Sequence, residues 1–125
     1  RDRLVEGCRG VTDRSTEVVT EERAGKALRY LAMTDQESAD AKVAVARAEY
    51  YCELVRAQVM LEQKEGSVAH KEAVAETDER TQKAEDARMK AIGAFEYIKA
   101  KRATEVWVIE MWRSLNSNRR VGNLS

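Results

Sequence analysis

The sequence predicts an all-α protein, and three observations carry that prediction. The chain has no proline and only six glycines in 125 residues. Alanine is abundant, 35% of the residues are charged, and apolar residues recur at helical spacing over long stretches. A β-sandwich or barrel would need far more turn-forming residues. A membrane-spanning helix would need an uninterrupted apolar run of about 18 residues, and no such run occurs.

The first predicted helix covers about residues 21–33. Thr20 is a suitable N-cap, and the two glutamates that follow it place carboxylates near the positive end of the helix dipole, where they are stabilising. The next segment, Thr34-Asp35-Gln36-Glu37, has the form of a capping box, in which the threonine caps a new helix and the glutamate returns to its backbone N–H. We therefore predict a break near residue 34.

Two long helices are predicted after this break, over about 35–65 and about 78–115. Gly66 suits the position just past a helix end, Ser67 can cap a short helical turn, and Thr77-Asp78 can cap the next helix. The two helices then fold back on each other as a long antiparallel hairpin, and the shorter N-terminal helix covers part of it.

The chain divides, on this prediction, into three parts. Residues 20–118 form a single helical domain. Residues 1–19 show no sustained periodicity and are predicted to be an irregular N-terminal arm. Asn116-Ser117-Asn118 is predicted to end the last helix, which leaves residues 119–125 as a tail.

Both faces of the second helix are apolar. One face consists of Ala41, Ala44, Ala48, Cys52, Val55 and Val59. The other consists of Val43, Ala46, Tyr50, Leu54, Ala57 and Leu61. One hairpin cannot cover two faces on each helix, so the sequence predicts coiled-coil contacts between copies and a homo-oligomer.

Two cross-helix ion pairs follow from the hairpin. When the chain folds about residues 66–77, Asp40 lies level with Arg102, and Glu62 lies level with Arg80. Pairs of this kind in a half-buried seam fix helix register more reliably than they add stability.

Charge is balanced overall, with 22 acidic and 22 basic residues. The segment 99–120 departs from this balance, because it holds six basic residues and two acidic ones. A basic helix end with a tryptophan can bind a partner protein through that tryptophan, or it can bind the phosphates of a nucleic acid. The candidate contacts to a partner or to nucleic acid are Lys99, Lys101, Trp112, Arg113, Arg119 and Arg120.

No constellation of residues indicates catalysis. His70 is the sole histidine and lacks the neighbours a zinc site needs. Cys52 falls on an apolar helix face, and Cys8 has only Arg9 beside it. No phosphate-binding glycine loop, nucleophile elbow or deaminase motif occurs. We predict a protein that is not an enzyme and that needs no metal or cofactor, and the mixed charge of its polar faces argues against membrane binding.

The C-terminal half resembles a group of small phage-encoded helical proteins. The resemblance covers about residues 35–120 and is carried by the segments GSVAHKEA at 66–73, YIKA at 97–100 and IEMWRS at 109–114, closing with Asn118-Arg119. Many of these proteins have no assigned function, and some occur among phage genes for DNA replication and recombination. The resemblance implies a phage origin and the cytoplasm of an infected bacterium, with a virion component as an open alternative.

Three functions are compatible with these observations. The first is a non-enzymatic phage protein that acts through self-association and contacts with partner proteins. The second is a DNA-binding accessory factor in phage recombination or replication. The third is an inhibitor of a host enzyme or defence complex.

Overall fold

The computed structural model describes the backbone of residues 19–124 and the side chains of residues 19–119. Over this range the chain forms three helices and no strand: α1 (Glu21–Glu62), α2 (Val68–Thr77) and α3 (Glu79–Leu124). The predicted all-α class is confirmed. Apart from Val19, the predicted N-terminal arm lies outside the described residues.

The predicted break at residue 34 is wrong, because α1 runs without interruption from Glu21 to Glu62. Thr34 has only 8% of its surface exposed and lies inside the helix. Capping residues such as threonine and aspartate favour helix ends, but they are tolerated within a helix at a cost of less than about 1 kcal/mol each. Burial of one face and the lack of proline or glycine nearby outweigh that cost.

The predicted end of the last helix is also wrong, because α3 continues past residues 116–118 to Leu124. The backbone of residues 119–124 is therefore helical rather than a tail. Asparagine and serine are weak helix formers, but none of them removes a backbone donor as proline would.

The connections on either side of α2 match the predicted caps. Gly66 has a φ of 112°, a backbone conformation that residues with a Cβ rarely adopt. A Cβ added at this position would also lie 2.6 Å from Cδ2 of His70. Ser67 caps α2, since its Oγ accepts a hydrogen bond of 3.1 Å from the backbone N–H of His70. Asp78 separates α2 from α3 and accepts from the backbone N–H of Arg80 at 2.8 Å.

Buried and half-buried positions recur along both long helices at alternating spacings of three and four residues. In α1 these positions are Ala24, Ala27, Leu31, Thr34, Ser38, Ala41, Val45, Ala48, Cys52, Val55 and Val59. In α3 they are Thr81, Ala84, Arg88, Ala91, Phe95, Ile98, Arg102, Glu105, Ile109, Trp112 and Asn116. We call these two rows the inner seams. Their average period of 3.5 residues is the one by which long helices keep a narrow face against a neighbour.

The described chain divides into two compact units. The hairpin unit is Thr34–Ala100, and the terminal unit consists of residues 19–33 and 101–124. The prediction of one domain over residues 20–118 stays a prediction. In the hairpin unit α1 and α3 run antiparallel, because Glu62 contacts Arg80 and Arg56 contacts Glu85.

The core of the hairpin unit lies where α1, α2 and α3 meet. It consists of Cys52, Val55, Val59, Ala75 and Ala84, with Met60 and Val74 packed against them. In the terminal unit the helices are also antiparallel, since Arg23 contacts Glu105 and Arg102 contacts the carbonyl of Leu31.

Candidate functional site

The most extensive exposed apolar surface of α1 lies in the hairpin unit. We call it the outer face; its apolar members are Val43, Ala46, Tyr50, Leu54, Ala57 and Leu61, and all of them are exposed. Tyr50 has 63% of its surface exposed and Leu61 has 84%. Single exposed apolar residues are ordinary, but a continuous row of them marks an interaction surface.

The outer face lies on the opposite side of α1 from the inner seam. At about 100° per residue, Tyr50 and Leu54 point roughly 160° away from Cys52, which is buried between them in sequence. Packing within the hairpin unit therefore covers one side of the helix and leaves the other in water. The sequence indicates both faces, and the structure shows which of them is covered within the chain.

The spacing of the outer face is itself heptad-like. Val43, Tyr50 and Ala57 are seven residues apart, and so are Arg47, Leu54 and Leu61. Together the two sets alternate in steps of four and three, which is the spacing of a helix face that packs against a second helix. Arg47 is the one charged member, and it makes no ion pair within the described part of the chain.

The lysines of the predicted basic end lie over aromatic rings. Lys99 Nζ lies 5.9 Å from the centroid of Phe95 in the hairpin unit. Lys101 Nζ lies 5.4 Å from the centroid of Tyr30 in the terminal unit. Both separations fall within the range of cation–π attraction. These two ammonium groups are therefore held against the protein's own rings.

The arginines of the basic end differ in their surroundings. Arg113 lies 3.6 Å from Glu110 on the same exposed helix surface. Arg119 is exposed and, with the half-buried Trp112 and with Asn116, lines a cleft of about 400 Å³ that Val19, Thr20 and Glu21 close on the other side. The structure thus brings Trp112 and Arg119 together. The side chain of Arg120 lies outside the described residues.

Glu62 and Arg80 form the predicted ion pair. Arg80 donates to both carboxylate oxygens of Glu62, at 2.8 and 2.6 Å, and to Asp78 at 3.0 and 3.1 Å. The hydrogen bonds from Arg80 lower the pKa of Glu62 and of Asp78 below their ordinary values. The two carboxylates in turn raise the pKa of Arg80.

The pair of Asp40 with Arg102 stays a prediction. Arg102 donates from Nη1 to the carbonyl oxygen of Leu31 at 2.8 Å, within the terminal unit. Asp40 accepts a hydrogen bond of 2.8 Å from Gln36.

Cys52 borders a second cleft, of about 430 Å³, in the hairpin unit. The other residues that line this cleft are Glu49, Glu53, Arg56, Glu85 and Arg88. Burial is the largest cause that raises the pKa of the Cys52 thiol, and the charge of Glu85 acts in the same direction. A thiol held in its protonated form is a poor nucleophile.

The charged groups around the cleft bind one another. Arg88 Nε donates to Glu85 at 3.0 Å, and Arg56 lies 3.5 Å from the same carboxylate. Arg56 also donates to Glu76 of α2. The cluster therefore links all three helices of the hairpin unit.

The described residues contain neither a metal-binding cluster nor a membrane-spanning helix. No group of three or more histidine, cysteine, aspartate or glutamate side chains there is placed to hold a metal ion. None of the described helices combines the length and the apolar character that a bilayer crossing requires.

One polar contact could not be predicted from the sequence. Arg23 lies 2.7 Å from Glu105 and also donates to it at 3.0 Å, in the inner seam of the terminal unit. The glutamate side chain is only 14% exposed. The two residues are 82 positions apart in the chain, so their pairing depends on the register of the helices.

Comparison with known proteins identifies no relative: no protein-family model, no curated protein and no solved structure matches this chain. The resemblance to phage proteins therefore stays a prediction from the sequence segments that carry it.

Proposed function

We propose that the protein is a non-enzymatic helical scaffold that acts through self-association and contacts with other proteins, within a phage-infected bacterium. The observation that carries the proposal is the outer face of α1. Its four large apolar side chains, Val43, Tyr50, Leu54 and Leu61, are all about half exposed or more. A surface of this kind gains stability by leaving water with a partner.

The placement of the two apolar faces also supports this function. In a closed helical bundle each helix needs one apolar stripe, directed at a shared core. Here α1 has apolar rows on opposite sides, so a helix can pack on each side of it. Such a helix suits the middle of a layer of helices better than the edge of a monomer.

The charged residues of the hairpin unit fit a structural role. Arg80 binds Glu62 and Asp78, while Arg56 and Arg88 bind Glu85. Carboxylates engaged in this way hold helices in register, and a protonated Cys52 beside them has little nucleophilic character.

The test compares the mass of three variants in solution by sedimentation velocity. Tyr50→Glu and Leu61→Glu each place a charge on the outer face. Val68→Glu is the matched control, because Val68 is 66% exposed but lies on α2. We expect both outer-face variants to shift toward monomer at a concentration where the native chain and the control stay associated.

Circular dichroism of the same samples separates loss of association from loss of folding. Leu61 is the more informative position, since a side chain so exposed contributes little to the fold of the single chain. A native chain that sediments as a monomer at tens of micromolar would contradict the proposal, and so would outer-face variants that keep the native mass.

DNA binding is the alternative function, and the cleft between Trp112 and Arg119 is the observation that favours it. An indole beside an exposed guanidinium can stack on a base while the cation binds a phosphate. The alternative is less well supported, because Lys99 and Lys101 lie over rings of the protein itself and Arg113 neighbours Glu110.

Salt dependence tests this alternative. Binding to a single-stranded oligonucleotide should weaken steeply as salt rises, and Arg119→Ala should weaken it to a similar degree on every sequence. Lys83→Ala is a suitable control, since Lys83 is an exposed lysine of α3 paired with Glu79 in the hairpin unit. No co-elution with the oligonucleotide at low salt would exclude this function.

A further inference from the structure

We propose that the outer face of α1 pairs with the same face of a second copy, antiparallel, about a two-fold axis level with Cys52. The inference rests on the proposed self-association and specifies its geometry. A two-fold contact of this kind uses the same patch on both copies and closes on itself as a dimer.

The register follows from the spacing of the outer face. In an antiparallel pair centred on residue 52, two residues of different copies lie level with each other when their numbers add up to 104. Val43 then meets Leu61 of the second copy, and Tyr50 meets Leu54. Arg47 meets Ala57, so the largest polar side chain faces the smallest residue of the row. Every member of the two interleaved heptad sets finds a member of the same row opposite it.

Charge favours the antiparallel arrangement over a parallel one. In a parallel, in-register pair Arg47 would face Arg47 of the second copy, and two like charges would share one layer of the seam. In the antiparallel pair Arg47 faces the small Ala57 of the second copy instead. Like charges that face each other across an interface cost affinity, so the antiparallel pairing is the favoured one.

The available area reaches the lower limit for a specific interface. The outer face and its neighbour Tyr51, which is 58% exposed, carry five large apolar side chains. Covering them removes roughly 500 Å² per copy from water, or about 1,000 Å² for the pair, which is the area at which specific interfaces begin. Two tyrosines per copy at the centre fit the composition of interface anchors.

Cross-linking between single-cysteine variants tests the direction and register. Val43→Cys and Leu61→Cys are each made in the full chain with Cys8→Ser and Cys52→Ala, and each background is checked by circular dichroism and by mass. Residues 43 and 61 are about 27 Å apart along one helix. A short bis-maleimide should therefore join the two variants efficiently when they are mixed, and should join neither of them to itself.

Charge reversal provides an independent test. Ala57→Lys places a second cation opposite Arg47 of the other copy and should weaken dimerisation about tenfold or more. Adding Arg47→Glu to the same chain restores opposite charges across the interface and should recover most of the affinity. Recovery requires that the two residues face each other between copies, which a purely structural role of either residue would not produce.

The outcomes separate this inference from the function on which it rests. The protein can associate and yet cross-link differently from this expectation. If each single variant cross-links to itself, or if the two variants do not cross-link to each other, the antiparallel pairing is overturned but self-association is not. A mass that grows with concentration beyond a dimer also overturns it, because it indicates an open contact such as the outer face on α3 of another copy. A chain that stays monomeric overturns both.

Discussion

The hairpin unit and the terminal unit have inner seams with the same spacing, but different contacts join the helices within them. The core of the hairpin unit is apolar, with Val59 and Ala75 fully buried. In the terminal unit an ion pair between Arg23 and Glu105 and a hydrogen bond from Arg102 to a backbone carbonyl lie in the seam between its helices. The comparison indicates a division of roles, in which apolar packing supplies stability and polar contacts fix register.

The largest expected effect is in the apolar seam. Val59→Ala removes two methyl groups from a fully buried site and should lower the free energy of unfolding by about 2 kcal/mol. Leu61→Ala, two residues away and exposed, should change it by less than about 0.5 kcal/mol in dilute solution. Urea unfolding of both variants measures the difference. Equal losses would mean that Val59 is not the centre of the hairpin unit's stability.

The ion pair of the terminal unit should matter less, because Arg23 is 41% exposed and its charge is partly screened. Arg23→Met leaves the carboxylate of Glu105 without its cation and should cost about 1 kcal/mol. Adding Glu105→Met removes the stranded charge and should recover much of that loss. A double-mutant cycle with no coupling would show that this contact does not hold the two helices in register.

A buried hydroxyl offers an effect of similar size and opposite sign. Thr81 is 1% exposed, and its Oγ1 has no hydrogen-bond partner among the described residues. Thr81→Val keeps the shape and removes the unsatisfied polar group, so it should raise the free energy of unfolding by about 1 kcal/mol. Thr81→Ser, the control, keeps the hydroxyl and loses a methyl group, so it should lower the melting temperature. A destabilised valine variant would contradict the apolar description of this site.

The smallest effect is a dependence on pH. Arg80 lowers the pKa of Glu62 and Asp78, so their stabilising contribution is complete above the unfolded pKa values and is lost as pH falls through the folded ones. The native chain should therefore lose stability below about pH 4.5. Arg80→Gln should lose less over the same interval, although it starts lower at neutral pH. If the free energy of unfolding fell equally with pH in the two proteins, the contacts of Arg80 with Glu62 and Asp78 would not contribute to stability.

The sequence predicts features that depend on neighbouring residues better than those that depend on register. Gly66, Ser67 and Asp78 were recognisable because their side chains or backbone act on residues nearby in the chain. The predicted break at Thr34 was wrong for the same reason: the local pattern is that of a cap, but the residue occupies a buried seam position in a continuous helix.

The candidate surface shows the same limit. The two apolar rows of α1 were evident from the sequence, because helical spacing alone places Cys52 and Tyr50 on different sides. Which row is covered within the chain depends on α2 and α3, and only the structure shows it. Contacts such as that of Arg23 with Glu105 join residues far apart in the chain, so no local pattern predicts them.

Light scattering after size exclusion, over a dilution series of the native chain, tests the central claim most directly. The claim is that the outer face of α1 is covered by a second copy in solution. It predicts a mass of twice 14.2 kDa at tens of micromolar that falls toward 14.2 kDa on dilution. A mass of 14.2 kDa at every concentration would contradict the claim and leave the outer face exposed in the isolated protein.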